Sequence, residues 1–537
     1  MKLKADSLHF EIMLGTTKPS GYIRNSYRED GKVKHQTLAR INGVPLAQLQ
    51  SMKAAFDGKV ISREDITITD GREYGASALL FNLAKKIGLD KIIYSRNDQW
   101  VRDALAMIIG RVIYQGSKLA LSRTREISCL WEICGINDEK IDVDKHCYDA
   151  MDELLARQQL IQKKLAAKHL TTGSVILYDI TSSYFEGEYE GSEMVAFGYN
   201  RDKKRGKKQI TIALICTKDG CPVAVEVFAG NTADSTTVRA KIAEIRDAYK
   251  VSNFVFVGDR GMLIQKNIDE CGDCASITAL THSAMKKLHE ERGVQLSVFD
   301  EGTGTEVGFP EEPNIRYILR KNPVRKEEEQ KTRLSLIKKT EENLRGIAMP
   351  KRKTNDKTLA ARAAKVFYKY KTEKYFSWNI EGGKVIFSRK NGLITDEEKY
   401  DGLYVLRSNV PANVMSITEV VQAYKSLTNV EQAFRSMKTV QLEIRPVFHR
   451  TEDRIKAHVF ICMLSYYLLW HMNAALKDLY NEKAKSYTHT HVIEIMKTLQ
   501  RFKMTVAGTL MDAYTIAHPN ETQQKIQNMV LSPSIVA

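Results

Sequence analysis

The sequence predicts an α/β protein built on a mixed sheet with helices packed against it. The core reading comes from 172–282, where the strand-like runs SVILYDIT, QITIALICTK and PVAVEVFAG follow one another. They then give way to the helix TTVRAKIAEIRDAYK, the strand NFVFVGDR, a short helix and the strand ASITALT. Consecutive strands followed by helix-strand alternation suit a mixed sheet.

The flanking segments read as follows. Residues 1–60 form a β-rich region, with YIRNSYRE and KVKHQTLARI joined at Asp30-Gly31, a strong hairpin signal. Residues 61–171 are helical, with apolar residues at three- and four-residue spacing in ALLFNLAKKIGL, WVRDALAMIIGRVIYQG and YDAMDELLARQQLIQKKLAAKHL. Arg24, Arg28, Lys32, Lys34, Arg40, Lys85, Lys86 and Lys91 could grip a polyanion, and each could equally be part of a solvated face.

From 283 to 412 the chain reads as an inserted α+β domain, with charged helices and then FSWNIEGG, KVIFSRKN and DGLYVLRSN in a small sheet of its own. Residues 413–480 return to the core through a helix that starts near Ser416, with Glu419 completing a capping box. Residues 481–537 read as a helical C-terminal region.

Composition agrees with a DNA partner. Lys plus Arg number 81 against 65 Asp plus Glu, a formal net charge of +16 that favours a polyanion. Hydrophobic residues at 43% suffice for a globular core. Eight cysteines are sparse for 537 residues and point to reduced thiols in a cytoplasmic protein. The Cys271/Cys274 pair has no second pair at zinc-finger spacing, and Cys216 and Cys221 are expected as free thiols near a hairpin. No signal peptide is expected, and Val459–Trp470 is too short to span a bilayer, which needs ~20 residues.

Three acids carry the chemistry. Asp179 and Asp259 each end an apolar, β-branched run, and Glu431 sits in the helical pattern AYKSLTNVEQAFRSMKT. Carboxylates so placed suit divalent metal, and a pair of Mg2+ ions about 4 Å apart can serve phosphodiester chemistry. Tyr424, Leu427, Glu431 and Lys438 fall near one face of a helix, so Tyr424 and Lys438 could hold phosphate oxygens beside the metal. Arg435 and Arg445 are further phosphate candidates, as are Lys203, Lys204, Arg205, Lys207 and Lys208 in the run RDKKRGKK. His449 and His458 read as hydrogen-bonded structural residues, and Glu186, Glu188 and Glu190 as solvent-facing.

At these residues the chain resembles the DDE transposases of bacterial insertion sequences. Asp179, Asp259 and Glu431 look like their acidic triad, and Tyr424, Glu431 and Lys438 match the pattern Y-x2-R-x3-E-x6-K, with Leu427 where the family usually has Arg. GNTADSTT, GDRGM, DGLYVLRSN and RPVFHRTEDRIKAHVFICMLSYYL resemble the subgroup with a long insertion before the last acid. The resemblance covers roughly 170–475.

It implies a ribonuclease H-like core, two Mg2+ ions with Mn2+ as a substitute, and a prokaryotic cytoplasmic setting. It also implies double-stranded DNA as substrate, both terminal inverted repeats and target, held by a homodimer in a synaptic complex, with residues 61–171 and the N-terminal hairpin as the DNA-end-binding region. The enzyme so implied cuts the ends of a mobile element and joins the 3′ hydroxyls to target DNA. Two alternatives stand beside it. A ribonuclease H-like nuclease would cut without strand transfer, and a transposase-derived DNA-binding protein would not cut at all.

Overall fold

The structure is a computed structural model describing residues 8–14, 18–58, 66–187, 189–202, 204, 206–260, 262, 274–302, 304–348, 354–481, 487–506 and 512–532. The chain divides into two compact units, Met1–Tyr74 with Thr498–Pro519, and Gly75–Lys497 with Asn520–Ala537. No single helix among the described residues is long and apolar enough to cross a membrane.

In the smaller unit β1 (Leu8–Leu14), β2 (Pro19–Glu29) and β3 (Lys32–Ile41) form an antiparallel sheet. The β2–β3 turn is Asp30-Gly31, with φ of 54° and 73°, the left-handed values that a two-residue type I′ turn needs. A second sheet pairs β4 (Ile66–Glu73) with the strand Gln500–Val506, which pairs in turn with Asp512–Ile516. These two C-terminal strands correct the all-helical reading of 481–537. A strand is stable only when paired, and the partner here comes from the other end of the sequence, outside any local window.

The larger unit is a mixed α/β structure. Its long helix Glu452–Ala475 is buried at almost every position from Ile455 to Leu469 and packs on the equally apolar helix Gln99–Tyr114. Beside them lies an eight-stranded mixed sheet. Its strands are β5 (Val175–Tyr184), β6 (Gln209–Thr217), β7 (Pro222–Ala229), β8 (Val255–Gly258), β9 (Ala275–Ala279), β10 (Thr305–Phe309), β11 (Glu312–Lys321) and, further along, Leu403–Ser408. Strands β5, β6 and β7 are antiparallel neighbours, whereas β8 runs parallel to β5 and β9 parallel to β8. Strand β6 is buried from Gln209 to Cys216, as the unbroken apolar run of a strand covered on both faces should be.

The stretch 283–412 does not build its own sheet throughout. Strand Leu403–Ser408 pairs antiparallel with β9 on one side and with β11 on the other, so these strands extend the central sheet. Only β12 (Phe376–Glu381) and β13 (Lys384–Arg389) form a separate hairpin sheet. They pack with helices Pro323–Ala348 and Asp356–Tyr370 around Ile337, Leu344, Leu359, Phe367 and Phe376. Periodicity marks a strand but does not say which open edge will accept it.

Candidate active site

The parallel ladder between β5 and β8 brings the two aspartates together. Tyr178 is in register with Gly258, and the next residue on each chain segment is an aspartate, Asp179 and Asp259. Neighbouring strands lie about 4.8 Å apart. The third acid comes from the helix Leu427–Arg435, which packs on β5 and buries Leu427, Val430, Ala433 and Phe434. Ser416 and Glu419 form the expected capping box on the helix just before it, Ile417–Lys425. Asp179, Asp259 and Glu431 all line one cleft of about 790 Å³.

The electrostatics of the cleft are those of crowded carboxylates. Burial pushes Asp179 up to about 7; the Ile180 N–H, 2.8 Å from Asp179 Oδ1, and Arg201 oppose that rise, while Asp259 and Glu431 add to it. Glu431 is also raised, by partial burial and by Asp259. Tyr424 is pushed up to about 12, chiefly by burial, so its phenol is a neutral donor. Three crowded hard oxygen donors, with Asp179 and Glu431 raised in part by their acidic neighbours, are a donor set suited to a divalent cation, which would relieve the repulsion.

The cleft also takes in Tyr424, Leu427, Arg435 and Lys438. They do not ride on one uninterrupted helix: Ser426 breaks it between Ile417–Lys425 and Leu427–Arg435, and a wider π-turn follows at Ser436–Val440. Lys438 is buried, and its Nζ donates to Thr181 Oγ1 at 3.1 Å and Asp202 Oδ1 at 3.0 Å. Arg445 donates to Asp202 Oδ2 at 2.9 Å and lies over the Tyr184 ring, so it reaches the site through Asp202.

Of the run RDKKRGKK, Lys203 and Arg205 fall outside the described residues. Lys204 is exposed, Lys207 is ion-paired with Glu186, and Lys208 Nζ donates to the Tyr189 carbonyl at 3.4 Å. Lys204, Lys207 and Lys208 are not in the cleft lining; the start of the run, Arg201 and Asp202, is. Glu186 and Glu190 are exposed, and Glu188 lies outside the described residues. His449 and His458 are buried, and His458 is held neutral by burial beside Arg111, with Nε2 on the Ile444 carbonyl at 3.1 Å.

Arg201 lies in the basic run RDKKRGKK read as a DNA contact, whereas sequence reading missed Asp202, Arg260, Asn322, Arg325 and Tyr404; all six line the cleft. Arg260 was legible beside Asp259 in GDRGM. Asn322, Arg325 and Tyr404 come from the inserted stretch, where only Tyr404 falls in a quoted motif, DGLYVLRSN.

The family model described as Transposase DDE domain matches residues 171–468, more than half of the chain. Among solved structures, the chain is similar to the one titled "Cryo-EM structure of piggyBac transposase synaptic complex with hairpin DNA". The identity is 10%, covering 79% of this chain and 76% of that one, with a TM-score of 0.35. Comparison with curated proteins found no match. The span of the family model takes in both aspartates, the glutamate and the elements that carry them, and the chain belongs to the DDE-domain transposase family.

Proposed function

We propose that this transposase is of the bacterial insertion-sequence type, cleaving DNA at the ends of its element and joining the freed 3′ ends to target DNA. The observation that carries the reading is the convergence of Asp179, Asp259 and Glu431 on one cleft, with Asp179 raised to about 7 by burial and by its acidic neighbours. The order of β5 to β9, three antiparallel strands and then two parallel ones, supports a ribonuclease H-like core.

Asp179, Asp259 and Glu431 are the residues that would hold Mg2+, or Mn2+ in its place. A bound pair of ions supplies activation of the attacking oxygen and stabilisation of the leaving one. The rest of the work falls to the chain. Tyr424 offers a neutral hydrogen bond, and Arg435, Arg201 and Arg260 offer positive charge to a DNA backbone in the cleft. Lys438 braces Asp202 and Thr181 beside the acids. Water attacks first and the 3′ hydroxyl later, so no covalent link between protein and DNA is required. The net charge of +16 favours double-stranded DNA as the partner, and a homodimer would hold the two element ends together. The setting would be the prokaryotic cytoplasm.

The test is a cleavage and joining assay with a fragment carrying an element end, a target plasmid and Mg2+. Cut and joined products support the proposal. Cutting without joining would assign a nuclease instead, and binding without cutting a DNA-binding protein.

A further inference from the structure

A second cluster of metal-ligating side chains lies outside the acidic cleft, and none of its members belongs to the transposition chemistry. His169 ends the helix Gln158–His169, Cys221 follows the β6–β7 turn, and His471 lies on the long helix Glu452–Ala475. One ligand atom from each lies within 4.8 Å of those of the other two. Cys221 is a buried free thiol. His471 Nε2 is buried and has no hydrogen-bond partner among the described residues. A buried polar nitrogen left unpaired is costly unless something else satisfies it.

We propose that His169, Cys221 and His471 form a structural site for a soft or borderline transition-metal ion, Zn2+ foremost, distinct from the hard-cation site of the three carboxylates. One thiolate and two imidazoles are the ligand types that select such an ion over Mg2+. Zinc bonds of about 2.3 Å to sulfur and 2.0–2.1 Å to nitrogen place ligand atoms about 3.5 Å apart. The trio therefore closes by at most about 1.3 Å on capture, a side-chain adjustment. The fourth position is left to water. Tyr467 OH, 2.8 Å from His169 Nε2, orients that ring, as the outer partners of metal-bound imidazoles do.

The ion would tie three elements that meet beside the catalytic helix. Within the β6–β7 turn the Lys218 carbonyl accepts from Asn429 Nδ2 at 2.8 Å, two residues before Glu431. The Asp219 carbonyl accepts from Trp470 Nε1 at 3.1 Å, next to His471. Pinning Cys221 fixes the turn against which the Glu431 helix rests.

The test uses the full-length protein, reduced and without oxygen, titrated with Co2+ in excess Mg2+ so that the carboxylate cleft is occupied. One equivalent of Co2+ should bind with a thiolate-to-cobalt charge-transfer band, and Zn2+ should displace it. The band should be lost in Cys221→Ser and at least tenfold weaker binding should appear in His471→Gln. It should survive in Cys274→Ser, and Zn2+ should raise the Tm of the wild type but not of Cys221→Ser. Absence of the band in the wild type, its survival in Cys221→Ser, or its loss in Cys274→Ser would each overturn the proposal. No DNA enters this experiment, so its outcome is independent of the transposition reading.

Discussion

Lys438 Nζ lies 3.0 Å from Asp202 Oδ1, and the second oxygen of the same carboxylate accepts from Arg445 at 2.9 Å. One acidic side chain thus engages two cations that the sequence assigns to phosphate. Asp202 is the anion between them.

Replacing Asp202 by Asn should therefore free both cations. Affinity for duplex DNA should rise several-fold at low salt, and the slope of log affinity against log salt should steepen by up to about 0.9 for each cation that then meets a phosphate. With Lys438→Ala added to Asp202→Asn, the slope should steepen less than in Asp202→Asn alone. Salt titrations of the two variants against wild type decide it, and an unchanged slope in both would remove Lys438 from the DNA contacts.

Asp179→Asn, Asp259→Asn and Glu431→Gln should each abolish Mg2+-dependent cleavage and leave DNA binding within a few-fold. Each swap keeps shape and removes the negative oxygen that a hard cation needs. Near-wild-type cutting by any of the three in a gel assay would strike that residue from the triad.

The raised Asp179 carboxyl makes metal-free stability depend on pH. Its folded value, about 7, lies above the unfolded carboxylate value, so the folded state binds more protons in that window. Stability should then rise as pH falls from about 7 toward the ordinary carboxylate range. Thermal melts in chelator should show this trend in wild type and a weaker one in Asp179→Asn. Mg2+, by favouring the charged form, should reduce the slope.

Leu427 stands where the family usually has Arg, yet it is only 8% exposed and lines the cleft. Leu427→Arg should destabilise by roughly 1–3 kcal/mol, because apolar contacts are lost and a charge must reach the cleft along its stem. A denaturant midpoint equal to that of wild type would show that the cleft accommodates the cation freely.

Gly230 opens the GNTADSTT motif for a packing reason. A Cβ there would lie 2.0 Å from the Gln209 carbonyl oxygen and 2.5 Å from that of Ala196, both backbone atoms of one β-bridge. Gly230→Ala should destabilise by roughly 1–3 kcal/mol or more, read as a lower urea midpoint.

The acidic constellation was legible in the sequence because each acid sits at the end or on the face of an element whose period is local. Apolar β-branched runs mark β5 and β8, the family resemblance implies that they are neighbours, and Asp179 and Asp259 stand at matching positions. The capping box at Ser416 and the turn at Asp30-Gly31 are local for the same reason. Only the tertiary structure decided the rest, since those features depend on pairing between distant segments. Strand Leu403–Ser408 joined the central sheet because β9 left an edge open to it, and Gln500–Val506 became a strand because β4 was there to pair with. Asp202 took Lys438 and Arg445, and Cys221 met His169 and His471, through contacts between segments far apart in the chain. Such contacts carry no periodic trace in the sequence.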